Sequence, residues 1–73
     1  MEAKKVVIDR PYITLGQVLK EEGVIPTGGA AKWYLKKNTV LVNNEADDRR
    51  GRKLYPDDLV TLPDGHQLQI ESK

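Results

Sequence analysis

The sequence lacks cysteine and phenylalanine altogether, and only one histidine and one tryptophan occur among its 73 residues. Without cysteine there can be no disulfide scaffold and no thiolate metal site, and a single histidine leaves too few ligands for zinc. The longest apolar stretches span only a few residues, so neither a membrane span nor a signal peptide is predicted. We therefore expect one small domain, residues 1–73, that lies in the cytoplasm and needs no metal or cofactor.

Groups able to perform catalysis are equally scarce. Ser72 is the only serine and lies beside the C-terminus, while His66 falls in a predicted polar turn. The aspartate pairs at 47–48 and 57–58 have the spacing of turn residues, whose carboxylates bond the local backbone, and they match no calcium-binding loop. The sequence thus predicts a protein that is not an enzyme and has no small-molecule substrate.

Charge is unevenly distributed along the chain, although the net charge is only +1. Residues 1–31 are neutral overall, residues 32–53 carry a net charge of +4, and residues 54–73 carry −3. A cationic face can therefore exist on a protein of almost zero net charge, and such a face attracts polyanions. An ordinary solvated surface is the alternative interpretation of the same charges.

The first of two predicted helices has complete signals at both ends. Thr14 and Gln17 have the spacing of a capping box, in which each residue bonds the backbone of the other. Gly23 suits the left-handed residue that ends a helix. These signals predict a helix over about 15–22.

The second helix is predicted over about 28–37, with Thr27 as its N-cap and Asn38 as a left-handed terminator. Trp33 falls between the apolar and the basic face of this helix. Stacking on a nucleic-acid base is one role for this ring. In a chain with only 5% aromatic residues, however, we expect Trp33 to pack in or against the core.

The apolar residues change to a period of two beyond residue 38, which is typical of strands. Strands are predicted at 6–8, 39–42, 45–47, 59–62 and 66–71, with a tight hairpin turn at Asn43 and Asn44. The order strand, helix, helix and four short strands predicts an α+β domain. In this domain a two-helix pair lies beside a small, mostly antiparallel β-sheet.

The start of the second helix is a candidate anion-binding site. Thr27, Gly28 and Gly29 leave backbone amides bare at a helix N-terminus, and glycine lets a phosphate approach the backbone closely. Lys32 and Lys36 follow on one face of the same helix. A plain capped helix explains these residues equally well, and the pattern of a nucleotide-binding P-loop is absent.

A basic loop is predicted directly after the hairpin. It contains four cations in five residues, namely Arg49, Arg50, Arg52 and Lys53, with Gly51 between them. Guanidinium groups offer paired donors to phosphate and flat faces that stack on bases, and RNA recognition uses both. A solvated charge run is again the alternative.

These segments together resemble the S4 RNA-binding domain, also called the alpha-L motif. The helix pair, TLGQVLK at 14–20 and TGGAAK at 27–32, is similar to that of the family. VLVNNE at 40–45 resembles the family's V-x-V-N-G hairpin, and DDLV at 57–60 its G-D-x-V close. The match covers about 13–62, and TGGAAK together with RRGRKL is similar to the short bacterial members of the YaaA type.

The resemblance implies an S4-like fold and an RNA surface at matching positions of this chain: Thr27, Gly28, Gly29, Lys32, Lys36, Arg49, Arg50, Arg52 and Lys53. Thr14 and Gly28 stand where many members of the family have arginine. Asn44 and Asp57 stand where the family pattern has glycine, which affects only turns.

We expect a monomeric, non-enzymatic protein that binds structured RNA, with ribosomal RNA as the expected target, in ribosome assembly or quality control. One alternative is a DNA-binding accessory factor linked to replication, because the phosphate chemistry is the same. The other is a protein-interaction adaptor whose acidic end, 57–71, docks a basic partner.

Overall fold

The computed structural model describes residues 3–73. Met1 and Glu2, which the predicted domain boundary and the first charge count include, lie outside the described residues. The strands are β1 (Lys4–Ile8), β2 (Ile13–Thr14), β3 (Leu41–Val42), β4 (Glu45–Ala46), β5 (Lys53–Leu54), β6 (Leu59–Thr61) and β7 (Gln67–Ser72). The helices are α1 (Leu15–Glu21) and α2 (Ala31–Lys37), and a 3-10 turn (Gly28–Ala30) precedes α2 directly.

Five of these strands form one sheet in the order β1-β7-β6-β3-β4, and β2 pairs with β5 in a separate two-stranded sheet. Only β1 and β7 run parallel; every other pair is antiparallel. The register aligns Leu68 with Val60 and Val60 with Val42, so three buried side chains form one row across the inner face. The predicted α+β class with a mostly antiparallel sheet is confirmed.

Helix α1 has both of the predicted end signals. The amide of Gln17 donates to Thr14 Oγ1 at 3.3 Å, and the amide of Thr14 donates to Gln17 Oε1 at 3.1 Å. Gly23 is left-handed, with a φ of 76°, and the amide of Val24 donates to the carbonyl of Leu19 at 2.9 Å. This hydrogen bond spans six residues, from Leu19 to Val24, and it closes the end of the helix as in the Schellman motif, which a left-handed glycine permits.

Helix α2 departs from the prediction at both ends. Thr27 has the extended backbone of an N-cap, but its side chain accepts no capping hydrogen bond, and the chain enters the helix through a 3-10 turn. Asn38 is extended, with a φ of −129°, so its assignment as a left-handed terminator was wrong. Its side-chain amide donates instead to the carbonyl of Tyr34 at 3.0 Å. The sequence therefore predicted correctly that the helix ends at this position, but not the backbone conformation of the residue that follows it.

Trp33 is 59% exposed, and the expectation that it packs in the core was wrong. The reason is its place on α2, which presents Ala31 and Leu35 to the core. At about 100° per residue, a side chain two positions from each of them lies on the opposite side of the helix.

One hydrophobic core joins both helices to the sheets. It includes Val6 and Ile8 from β1 and Leu68 and Ile70 from β7, outside the stretch 13–62 on which the family resemblance rests. Both residues of β4 are exposed, so this strand is a solvated edge. Within residues 3–73, no helix has the length and apolar character needed to cross a bilayer.

Candidate nucleic-acid interface

The basic loop, residues 49–53, is docked onto the start of α1 by its backbone. The amide of Leu15 donates to the carbonyl of Arg52 at 2.8 Å, and the amide of Gly16 donates to the carbonyl of Arg50 at 2.9 Å. Amides in the first turn of a helix have no partner within the helix and need one elsewhere. The loop supplies those partners, so its backbone has a fixed position and does not hang free in solvent.

A two-stranded sheet strengthens this docking. Ile13 in β2 pairs with Leu54 in β5, and both side chains are fully buried. Thr14, which caps α1, pairs with Lys53 of the basic loop. This pairing was not predicted, because two-residue strands are too short to show a period in the sequence.

Gly16 makes the close approach of the loop possible. A Cβ atom at this position would lie 3.2 Å from the carbonyl oxygen of Arg50 and 3.4 Å from the Cβ of Ala31 in α2. The glycine therefore allows α1, α2 and the basic loop to meet at one point.

Asp47 holds the loop in place through its carboxylate, and the side chain of Asp47 is only 7% exposed. It accepts hydrogen bonds from Arg49 Nε at 3.1 Å, Arg49 Nη2 at 2.9 Å and Arg52 Nη1 at 2.7 Å. The amide of Arg49 adds a fourth bond at 2.9 Å. The hydrogen bonds from Arg49 foremost, and that from Arg52, hold the pKa of Asp47 well below its usual range despite its burial.

The four cations of the loop are consequently not equivalent. Arg49 and Arg52 share the charge of Asp47, whereas Arg50 and Lys53 form no ion pair with another residue of the described range 3–73. Arg50 is exposed although its carbonyl is fixed. We infer that Arg49 and Arg52 chiefly shape the loop and that Arg50 and Lys53 present its free charge.

A recess of about 350 Å³ lies between the basic loop and the helix pair. Its lining includes Thr14, Gln17, Lys20, Gly28, Arg50 and Gly51, and we call it the Gly28–Arg50 groove. It brings together residues from both candidate sites of the sequence, the start of the second helix and the basic loop.

Lys20, which also lines the groove, was not among the predicted site residues. Its spacing from Gln17 on the exposed side of α1 was the signal that could have identified it.

The two glycines before α2 are open to solvent. A Cβ atom at Gly28 would meet nothing within 4 Å, and one at Gly29 would meet only Thr27 Oγ1 at 3.9 Å. Packing does not require glycine at either position.

The other residues predicted for this site lie in different places. Thr27 and Lys32 are exposed beside the two glycines, whereas Lys36 lines a different recess, near Asp48. The predicted residues therefore do not all meet in one groove.

A second recess, of about 510 Å³, is lined mainly by the loop itself. Its lining comprises Arg49, Gly51, Arg52, Lys53 and Tyr55, and we call it the Tyr55 recess. Tyr12 lies beside it, with its ring centroid 6.0 Å from that of Tyr55 and 5.0 Å from Lys53 Nζ. The sequence did not identify either tyrosine, although Tyr55 follows the basic run by only two positions.

Comparison with known proteins identifies the family of this chain. A family model described as S4 domain matches residues 6–71. The chain belongs to the S4 domain family. It is also 50% identical over 68 residues to "Probable ribosome maturation protein RlbA" of Bacillus subtilis (strain 168), an alignment that covers 93% of this chain and 96% of that protein. The resemblance stated from the sequence is confirmed.

Membership of the S4 domain family explains two residues with unusual backbone. Asn44 and Asp57, which stand where the S4 pattern has glycine, have φ values of 69° and 79°. Both positions lie in the left-handed region that glycine enters most easily. These two residues therefore have the backbone that the glycine of the S4 pattern would adopt most easily.

Proposed function

We propose that this protein is a non-enzymatic, monomeric RNA-binding protein that acts in the cytoplasm on structured ribosomal RNA during ribosome assembly or maturation. The observation that carries the proposal is the Gly28–Arg50 groove, in which a docked basic loop faces the bare start of the second helix. The relative in Bacillus subtilis is named as a probable ribosome maturation protein, which supports the same role here.

The groove suits a phosphate backbone because its charges are free and its frame is fixed. Lys20 and Arg50 make no ion pair within the described residues 3–73, so both remain available to an anion. Thr14 replaces the arginine that many S4 domains have at this helix start, and Arg50 lines the same groove. A guanidinium bonds phosphate through two parallel donors. We infer that Arg50 takes over the role of the missing arginine.

Structured RNA fits the surface better than duplex DNA does. The DNA major groove is read by a helix or ribbon that can enter it, but the basic loop covers the start of α1, and α2 spans only seven residues. RNA is recognised through shape, phosphates and unpaired bases that stack on arginine or aromatic side chains. Exposed arginines and tyrosines lie together around this loop.

The alternative of a protein adaptor loses support from the contacts of the acidic end. Asp58 accepts hydrogen bonds from Asn43 Nδ2 at 3.0 Å and from the amide of Tyr55 at 2.7 Å. Asp64 Oδ2 lies 2.6 Å from His66 Nδ1. These two carboxylates organise turns of the protein itself, which explains their places in the chain without a basic partner.

Binding of ribosomal RNA and of duplex DNA should be compared over a range of salt concentrations. If four to six cations neutralise phosphates, log affinity for RNA falls linearly with log salt, with a slope of magnitude roughly 3–5. A slope near zero, or equal affinity for DNA, would refute the proposal. Association with ribosomal particles that survives nuclease treatment would instead favour a protein partner.

A further inference from the structure

Two of the four aromatic side chains of this protein are exposed at one place beside the basic loop. Tyr12 is 37% exposed and Tyr55 is 48% exposed, although the core contains no aromatic residue within the described range 3–73. Exposed apolar side chains that lie next to one another form a contiguous patch, and such patches mark interaction sites, whereas singly exposed ones do not. The position of this pair therefore calls for a functional explanation.

The pair has a definite geometry. The two ring planes are inclined at 50°, and Lys53 Nζ lies over the ring of Tyr12. The backbone of Tyr55 is fixed, because its amide donates to Asp58 Oδ2 at 2.7 Å and its carbonyl accepts from the amide of Asp58 at 3.0 Å. Tyr12 is thus already engaged by a cation, and Tyr55 is the ring that lines the recess.

The lining of the Tyr55 recess combines one aromatic ring with three cations, Arg49, Arg52 and Lys53. A nucleotide has the complementary chemistry, since its base stacks on an aromatic ring while its phosphate pairs with a cation. Lys53 is the cation of this lining that has no carboxylate partner within residues 3–73, whereas Arg49 and Arg52 pair with Asp47. The recess, at about 510 Å³, falls within the range of small-ligand sites, roughly 300–1,000 Å³. Gly51 lines both this recess and the Gly28–Arg50 groove, so the two recesses are neighbours on the surface.

We propose that the RNA bound by this protein carries an unpaired nucleotide whose base stacks on Tyr55, next to the backbone held in the Gly28–Arg50 groove. This inference rests on the proposed function and adds the class of RNA, a helical segment interrupted by an extruded base. Unpaired bases are the usual points at which proteins read structured RNA.

Trp33 is the competing aromatic residue, and its surroundings are less suitable. The Trp33 ring lies on α2 and is covered by Lys36 of the same helix, whose Nζ lies 5.5 Å from the ring centroid. It is not part of the lining of the Tyr55 recess or of the Gly28–Arg50 groove. It therefore provides a matched control, an exposed aromatic ring away from the proposed site.

The test uses two RNA hairpins that differ only by one bulged 2-aminopurine, whose fluorescence falls when it stacks. The full chain should bind the bulged hairpin more tightly by roughly 5- to 150-fold, the range for one base stacked on an aromatic ring. Tyr55→Leu should remove this preference and the quenching, and it should lower affinity for the unbulged hairpin far less than affinity for the bulged one. Tyr55→Phe and Trp33→Leu should keep both.

Three results would overturn the inference. The first is equal binding of the two hairpins, and the second is a preference that survives Tyr55→Leu. The third is a preference that Trp33→Leu abolishes, which would move the stacking site to α2. Equal binding that Arg50→Glu abolishes would refute the stacking alone and leave RNA binding intact. Failure to bind either hairpin or ribosomal RNA would refute both proposals.

Discussion

The amide of Gly16 donates to the carbonyl of Arg50 at 2.9 Å, and this bond is one of two backbone hydrogen bonds that join the first helix to the basic loop. The same carbonyl would lie 3.2 Å from a Cβ atom placed on Gly16. The amide of Gly16 forms the hydrogen bond, and the absence of a side chain at Gly16 lets the carbonyl come close enough to accept it. This contact lies at the floor of the groove in which we expect RNA to bind.

Gly16→Ala should therefore destabilise the protein, even though alanine is the better helix former by about 1 kcal/mol. The added methyl group meets a hydrogen-bonded backbone oxygen and the Cβ of Ala31, and overpacking of this kind costs about 1–3 kcal/mol. Urea denaturation should show a net loss of stability. An increase would mean that the loop yields easily and is not rigidly docked.

The double variant Gly28→Ala and Gly29→Ala should behave in the opposite way. Both Cβ atoms enter open space, so the free energy of unfolding should rise by roughly 0.5–1 kcal/mol. Affinity for RNA should fall at the same time, because the methyl groups hold a phosphate away from the amides. Unchanged affinity in a filter-binding assay would show that these glycines serve the turn and not the ligand.

Asn43 and Asn44 form the hairpin turn with nearly the same left-handed backbone, φ 52° and 69°, but they should respond differently to glycine. Asn43 bonds Asp58 Oδ1 at 3.0 Å and the amide of Leu59 at 2.9 Å, so Asn43→Gly should cost about 1–2 kcal/mol. Asn44→Gly loses no such side-chain bond and relieves the backbone, so it should be neutral or stabilising by about 0.5 kcal/mol. Thermal melts of the two variants would separate these effects, and equal losses would contradict the assignment.

Asp47 should make stability depend on pH at acidic values. Its pKa in the folded protein is lowered below the unfolded value of about 3.9, so the folded state binds fewer protons in this range. The stabilisation is complete above about pH 5 and is lost as the pH falls towards the folded pKa. Wild type should exceed Asp47→Asn by about 1–2 kcal/mol at neutral pH, and the difference should shrink below pH 5. A difference that does not change with pH would contradict the ion-pair account.

Signals close together in the sequence predicted much of this fold. The capping box of Thr14 and Gln17, the left-handed Gly23 and the turn at Asn43 and Asn44 depend on neighbouring residues only, and all of them are confirmed. Their physical causes are local hydrogen bonds and backbone sterics. The helix pair and the mostly antiparallel sheet followed from these signals and from the period of the apolar residues.

The missed features depend on how the chain folds back on itself. The arginines that bond Asp47 are only two and five positions away, but the local pattern does not indicate that its side chain is buried beneath them. The pairing of Leu54 with Ile13 joins residues far apart in the sequence. The exposure of Trp33 follows from which side of α2 the core occupies. The candidate site could therefore be predicted as a set of basic residues, but the division of roles between Arg49 and Arg50 could not.

The most direct test of the RNA-binding account compares two single charge reversals, Arg50→Glu and Lys5→Glu. Both change the net charge equally, both residues are exposed, and neither forms an ion pair within the described residues 3–73. Lys4 and Arg49 are less suitable, because their partners Glu22 and Asp47 would be left facing a like charge.

Binding of ribosomal RNA to each variant should be titrated at one salt concentration, with circular dichroism melts to verify the fold. Arg50→Glu should lower affinity by about tenfold or more, the value of a charge-assisted phosphate contact, while the fold remains intact. Lys5→Glu should change affinity only slightly, through the overall field. Equal losses from the two variants would contradict a localised site and leave only non-specific attraction.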